Sequence, residues 1–159
     1  MQIHYFMYLC SPEKHFLMDY NELYDKALQI AVRAHMGQKD KAGHDYILHP
    51  IRVSERCDDP RAKIVALLHD TIEDTDVTAD YLREEGFTEE IVEAVLAVTR
   101  SEGEEYDDYV RRAAQNELGR MVKRADLEDN MDIRRLPELT DRDVERLRKY
   151  LRAWQYIVE

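Results

Sequence analysis

Between Ala66 and Thr75 the chain reads Ala66-Leu67-Leu68-His69-Asp70-Thr71-Ile72-Glu73-Asp74-Thr75, so four side chains able to bind a metal or move a proton stand in two adjacent pairs. On a helix, residues four apart share a face, with β-carbons about 5–6 Å apart, which puts His69 beside Glu73 and Asp70 beside Asp74. Both pairs are expected to face one cavity, while Ile64, Val65, Leu68 and Ile72 pack on the opposite side. Burying such a polar stripe costs free energy unless a metal ion or hydrogen bonds satisfy it. A solvated acidic patch would account for Glu73 and Asp74, but not for a His-Asp pair set in a run of Ala and Leu.

A metal site needs more donors than these, and two further residues could converge on them. His49 stands twenty residues upstream, before a proline, and Asp126 lies in an otherwise apolar or basic stretch with Met121, Val122, Ala125 and Leu127. Two imidazoles and two carboxylates suit a first-row ion such as Mn²⁺, Fe²⁺ or Zn²⁺ better than Mg²⁺ or Ca²⁺. Open coordination positions would hold water and a phosphate oxygen. A lone histidine is more often packed or at the surface than a ligand, and that reading fits His4, His15 and His44. Glu73 and Asp74 fall one turn beyond His69 and Asp70, where a carboxylate could take a proton from water acidified by a cation. Lys123 and Asn130, three before and four after Asp126, share its face and are candidate substrate contacts, with a surface salt bridge as the alternative for Lys123.

These residues need helices to hold them. From Asn21, Leu23, Ala27, Leu28, Ile30, Ala31 and Ala34 recur at spacings of three and four, and Gly37 supplies a stop. A polar loop follows over Gln38 to Asp45. Pro50 opens a second helix with His49 at its start, because proline is favoured in a first turn. Asp59-Pro60 begins the third, which carries the Ala66–Thr75 motif to around Asp74–Asp76. Thr78 and Thr88 are expected N-caps for segments 80–85 and 89–98. Residues 101–105 read as an acidic linker, 106–114 and 118–131 as helices, and Thr140 as the cap of a last helix beyond Pro137. The expected fold is all-α, a bundle of seven or eight helices without a strand. Residues 1–18, with Tyr5, Phe6 and Tyr8 ahead of Ser11-Pro12, differ in character and read as an N-terminal extension of unassigned role before one domain over 19–159.

Bulk composition narrows the function. A chain of 159 residues with 44% hydrophobic residues can build one full core, and five Gly and four Pro suit short helical connections. A net charge of −11 repels duplex nucleic acid and anionic membranes, so an anionic ligand must be caught by a metal or a local cluster of cations. Cys10 and Cys57 form no framework, no apolar run approaches a membrane span, and the N-terminal segment lacks a signal-peptide pattern, all of which read as cytoplasmic. A homo-oligomer is compatible with the sequence.

The ordered set His49, His69-Asp70, Asp126 resembles the signature of HD-domain metal-dependent phosphohydrolases. Within that family it is most similar to the small alarmone hydrolases and the hydrolase domain of bifunctional alarmone synthetase/hydrolases. The resemblance rests on Ala34-His35-Met36-Gly37-Gln38, Tyr46-Ile47-Leu48-His49-Pro50, Ala66–Thr75 and Val122-Lys123-Arg124-Ala125-Asp126, and covers roughly residues 20–155. It implies an HD-type bundle with His49, His69, Asp70 and Asp126 as ligands of one divalent ion, Mn²⁺ first. It also implies Glu73 and Asp74 as the pair that positions or deprotonates the attacking water, and His35 as a non-ligand. The implied reaction is removal of the 3′-diphosphate from (p)ppGpp-like nucleotides. Alternatives are a phosphatase acting on another nucleotide or dinucleotide such as NADPH, and a non-catalytic nucleotide-binding module. Two departures stand out. The family usually has Arg-Lys before its Tyr…His-Pro motif, where this chain has Asp40-Lys41 preceded by Lys39, leaving Lys39 and Lys41 as candidate substrate contacts. Asp126-Leu127-Glu128-Asp129-Asn130-Met131-Asp132 also lacks two of the family's usual basic positions, so weaker hold on a guanine base is expected.

Overall fold

The structure, a computed structural model, describes residues 19–159. The extension expected over 1–18, with His4, Cys10 and His15, lies outside the described residues. Asp19 starts the first helix by accepting the Asn21 N–H, and α1 runs Tyr20–Ala34. A turn past the His35 cap leads to Gly37, whose φ of +80° is left-handed and costs glycine nothing. The polar loop that follows folds back on itself, with an isolated antiparallel bridge between Lys39 and Asp45. Then come α2 (Leu48–Glu55), α3 (Pro60–Leu68), α4 (Thr71–Asp74), α5 (Ala79–Glu84), α6 (Glu89–Ala97), α7 (Tyr106–Gln115), α8 (Glu117–Asn130), a 3₁₀ turn at Ile133–Arg135, and α9 (Asp141–Val158). All described secondary structure is helical apart from that bridge, and the all-α expectation holds.

Most boundaries follow from the caps read in the sequence. Asp59, Thr78 and Thr88 each accept a backbone N–H at the start of α3, α5 and α6, and Thr140 forms a reciprocal capping box with Asp143 at α9. Asn116 was not anticipated as a cap, and α8 accordingly starts at Glu117. At that corner Gly119 lets α8 approach α7, since a β-carbon there would lie 2.9 Å from the Ala113 carbonyl oxygen.

The third expected helix is interrupted. α3 ends at Leu68, His69 keeps helical angles, and at Asp70 the turn opens (φ −100°, ψ −3°) before the single turn of α4. The seven or eight expected helices thus become nine α-helices and one 3₁₀ turn among the described residues. The expected two-faced character is also corrected: Ala62, Ile64, Val65, Ala66, Leu67 and Leu68 are all fully buried, and only Ile72 is partly so. A helix apolar on every side belongs at the centre of a fold, and α3 packs against α1, α2, α6 and α8 at once.

Around α3 lies the main apolar cluster, which includes Leu82, Phe87, Ile91, Val95 and Val122, while Tyr109, Val110, Leu127, Ala153 and Ile157 form a second one under α9. α8 supplies residues to both and so ties them together. No helix among the described residues is long and apolar enough to cross a membrane. Because Leu67 is fully enclosed, Leu67→Ala should lower the unfolding free energy in urea by about 2–5 kcal/mol while the helical circular-dichroism signal at low denaturant is kept.

Candidate metal centre and active site

Placing polar groups beside a fully buried helix requires partners for each of them. His49 comes from the first turn of α2, His69 and Asp70 from the break after α3, and Asp126 from the interior face of α8. His69 Nε2 lies 3.0 Å from Asp70 Oδ2 and 3.7 Å from Asp126 Oδ1, and His49 Nε2 lies 3.2 Å from Asp126 Oδ1 and 3.7 Å from Asp70 Oδ2. Ligand atoms of His49, His69 and Asp70 fall within 4.8 Å of one another. His49, His69 and Asp70 thus meet, and Asp126 stands beside both imidazoles.

The arrangement of protons fits a cation there. His69 Nδ1 is 2.7 Å from the Ala66 carbonyl, which can only accept, so Nδ1 carries the hydrogen and Nε2 is the free lone pair. That Nε2 is buried with no hydrogen-bond partner. Such an orphaned donor facing two carboxylates is what a divalent ion satisfies. In the bare site, burial works against a charged imidazole, but Asp70 and Asp126 overcome it and raise His69 well above its ordinary pKa. Burial would likewise raise Asp126, but Lys123 and the two histidines hold its carboxyl well below its usual value.

Asp126 is further restrained, with Oδ1 accepting from Asn130 Nδ2 at 2.6 Å and Oδ2 from Lys123 Nζ at 2.8 Å. Lys123 is placed otherwise than a substrate contact would be. It is 7% exposed, sits behind Asp126 with its ammonium 4.7 Å from the Tyr109 ring centroid, and is absent from the cavity wall. The surface salt bridge weighed for it gives way to a buried one, because its stem runs along the interior face of α8.

Two residues at the site were passed over in the sequence. The Tyr46 hydroxyl donates to Asp70 Oδ2 at 2.5 Å, and burial with the charge of Asp70 raises its pKa, leaving it a donor. Asp129, fully buried, accepts from His49 Nδ1 at 2.7 Å and from Arg52 through two nitrogens at 2.8 and 3.0 Å. Burial is opposed by these hydrogen bonds from His49 and Arg52, which keep its carboxyl far below the ordinary range. The available signal was Arg52 on α2 and Arg56 at its C-cap, one turn apart, where they could face an acidic residue.

His49 forms the floor of a cavity of about 280 Å³ whose walls include Lys39, Lys41, Tyr46, Asn130, Arg135 and Arg146. Of the candidate substrate contacts, Lys39, Lys41 and Asn130 thus line it. Lys39 is paired with Asp45 at 2.6 Å, and Arg135 and Arg146 add cations that the sequence reading did not single out. Asp40 also lines this cavity, but its Oδ1 accepts the Ala42 and His44 N–H groups at 2.9 Å each and so holds the loop closed. His35 is buried, its Nδ1 2.9 Å from Gln38 Oε1 and its ring 5.0 Å from that of Tyr46, a packing position.

Neither Glu73 nor Asp74 lines the cavity over His49. Because the helix opens at Asp70, Glu73 borders a separate hollow with Thr99–Gly103, and its Oε2 accepts the Arg100 N–H at 2.9 Å. The expectation that both pairs face one cavity is corrected to this extent. Asp74 has no side-chain hydrogen bond among the described residues. Partial desolvation raises the pKa of both carboxyls, with Asp70 adding to the shift and, for Glu73, the Arg100 N–H opposing it.

The HD domain family model matches residues 36–131, the span that contains all four converging side chains. The chain is an HD-domain protein. Guanosine-3′,5′-bis(diphosphate) 3′-pyrophosphohydrolase of Aquifex aeolicus is 33% identical to this HD protein over 118 residues, 67% of its chain and 17% of the Aquifex one. The Borreliella burgdorferi protein of the same name is 43% identical over 79 residues, 47% of this chain and 12% of that one. The chain therefore spans less than a fifth of the length of these curated relatives. The fold matches a solved structure described as a metazoan ortholog of SpoT that hydrolyzes ppGpp and plays a role in starvation responses. There the TM-score is 0.69 at 24% identity, covering 86% of this HD protein and 85% of that chain.

The hollow beside Glu73 depends on Glu104, which takes Arg112 Nε and Nη2 at 2.8 and 2.7 Å and the Ser101 N–H at 2.9 Å. The Arg112 hydrogen bonds hold the Glu104 pKa at about 2 against an ordinary 4.5. A carboxyl whose pKa is lower in the folded state stabilises the fold above its unfolded pKa, and that contribution is lost as pH falls through the folded one. Acid titration of stability in Glu104→Gln should therefore be flatter than wild type between about pH 4.5 and 2, with the two curves parallel above that window.

Proposed function

We propose that this HD-domain protein is a metal-dependent phosphohydrolase that removes the 3′-diphosphate from (p)ppGpp-like nucleotides, its working unit being residues 19–159. The observation that carries the reading is the meeting of His69, Asp70 and Asp126 around His49, which itself lines a cavity walled by Lys39, Lys41, Arg135 and Arg146. That is a cation-binding donor set opening onto a phosphate-attracting wall in a protein whose net charge is −11. The names of the Aquifex and Borreliella relatives support the substrate class.

In this reading His49, His69, Asp70 and Asp126 would hold one divalent ion, Mn²⁺ first and Fe²⁺ or Zn²⁺ as alternatives. When bound it acidifies a water and neutralises developing charge on phosphate oxygens. The residues of the chain do the rest. Tyr46 and Asn130 fix the Asp70 and Asp126 carboxylates by donating to them. Lys39 and Lys41 draw the phosphates to the mouth, and Asn130 contacts the substrate beside Asp126. Lys123 serves Asp126 as its buried counter-ion. Asp74, with an unengaged carboxylate of raised pKa, takes the proton from the attacking water, and Glu73, steadied by the Arg100 N–H, orients it. The carboxylate pair one turn beyond Asp70 argues against a module that only binds.

A second enzymatic reading, an orthophosphate-releasing phosphatase acting on another nucleotide or on a dinucleotide such as NADPH, is favoured by one observation. Asp40 is committed to its loop and offers no planar cation for a base to stack on. The Mn²⁺-loaded full chain should release pyrophosphate, not orthophosphate, from ppGpp. Orthophosphate alone, or no turnover of ppGpp alongside turnover of NADPH, would transfer the assignment to the second reading. His69→Ala and Asp70→Ala should lose stoichiometric Mn²⁺ and turnover together.

Asp74→Asn and Glu73→Gln should keep Mn²⁺ while kcat falls about 10²–10⁴-fold, the usual worth of a positioned acid or base. Unchanged kcat in both variants would remove these carboxylates from the mechanism.

A further inference from the structure

The two imidazoles of the centre are not backed alike. His69 Nδ1 rests on the neutral carbonyl of Ala66, whereas His49 Nδ1 rests on the carboxylate of Asp129, each at 2.7 Å. We infer that Asp129 is a positioning residue: clamped by Arg52, it fixes His49 in the tautomer with a bare Nε2 and makes it the stronger of the two nitrogen donors.

Geometry excludes the simpler view of Asp129 as a fifth ligand. Its carboxylate meets the Nδ1 edge of His49, while the Nε2 edge faces Asp70 and Asp126. Its oxygens are already taken, Oδ1 by Arg52 Nε at 2.8 Å and Oδ2 by His49 Nδ1 at 2.7 Å and Arg52 Nη2 at 3.0 Å. The two-pronged guanidinium grip leaves the carboxylate one orientation, and through it the imidazole has one orientation. A carboxylate behind a coordinating histidine raises the basicity of the ring, which a carbonyl does less. The guanidinium limits that effect by sharing the negative charge, so Arg52 and Asp129 act as one unit.

Arg135 joins the same unit from the cavity side. Its Nη2 donates to the Asp129 backbone carbonyl at 2.6 Å and lies 3.3 Å from Oδ2, while the residue lines the cavity over His49. Asp129 is thus shielded from solvent by cations on two sides and is fully buried. An unpaired carboxylate at that depth would be untenable, which explains why the arginines accompany it.

The inference rests on the reading of His49 as a metal ligand, and the test separates the two. Long-range ¹H–¹⁵N correlation spectra of the metal-free wild-type chain, taken once the imidazoles are neutral, should show His49 protonated at Nδ1 and bare at Nε2. Calorimetric titration with Mn²⁺ should give a dissociation constant about 10–100-fold weaker for Asp129→Asn, with the helical signal unchanged. His49 found with its proton on Nε2 in the wild type would overturn the inference, and this measurement needs no variant to fold. So would Mn²⁺ affinity in Asp129→Asn equal to wild type while His49→Ala loses it. Should His49→Ala itself keep wild-type affinity, the ligand assignment of the proposed function fails as well.

Discussion

Two carboxylates and two imidazoles pressed together beside a helix without exposed apolar side chains form the constraint on which this fold turns. Asp70 and Asp126 could not both stay ionised there in isolation, since removing a charge from water costs several kcal/mol even after relaxation. Each is instead met by fixed donors: Tyr46 on Asp70, and Lys123 and Asn130 on Asp126. Those donors come from the loop before α2 and from α8, so satisfying the centre fixes how α2, the end of α3 and α8 stand relative to one another. The apolar cluster around α3 supplies the free energy of folding, and the polar centre selects one arrangement of the helices.

The break at His69-Asp70 follows from the same demand. Were the α3 helix to continue unaltered, His69 and Asp70 would point in successive helical directions about 100° apart. Opening the turn lets both reach one point, with His69 Nε2 at 3.0 Å from Asp70 Oδ2. The freed backbone is not left bare. The Thr71 hydroxyl donates to the Leu68 carbonyl at 2.7 Å, and the Ala66 carbonyl takes the His69 Nδ1 hydrogen. Helical order is given up where side chains can replace the lost hydrogen bonds.

Much of this was legible in the sequence because it is written in local rules. Caps at Asp59, Thr78, Thr88 and Thr140, proline near two helix starts and a glycine stop at Gly37 each act within four residues. The convergence of His49, His69, Asp70 and Asp126 was legible for another reason: few residue types bind metal, and they stood out against apolar surroundings. What stayed hidden depends on pairing across the fold. Asp129 looked like the loss of a basic position, yet its meaning lies in Arg52, seventy-seven positions away, and in His49, eighty away. Lys123 shares a helix face with Asp126, as the spacing indicated, but spacing does not reveal that Tyr106 and Tyr109 of α7 stand beside its ammonium. The opening of the helix at Asp70 likewise has no mark in periodicity, because its cause is the position of His49 and Asp126.

Charge around the centre has one further consequence. Behind the cavity floor that His49 forms, Asp70 and Asp126 carry two negative charges against the one positive charge of Lys123, and the proton that the raised pKa of His69 retains in the absence of an ion brings the sum to about zero, while Asp129 is offset by Arg52 and shared with Arg135. That floor adds little pull of its own on a phosphate, and the attraction falls to Lys39, Lys41 and Arg146 on the walls. A divalent cation in place of the His69 proton would make the floor positive, so that floor and walls pull on an anion together. The walls are solvent-exposed and screened by salt over about 10 Å at ordinary ionic strength, whereas the floor is buried and screened much less. Discrimination between a metal-loaded and an empty site is therefore built into the floor, and the walls govern only how readily an anion arrives.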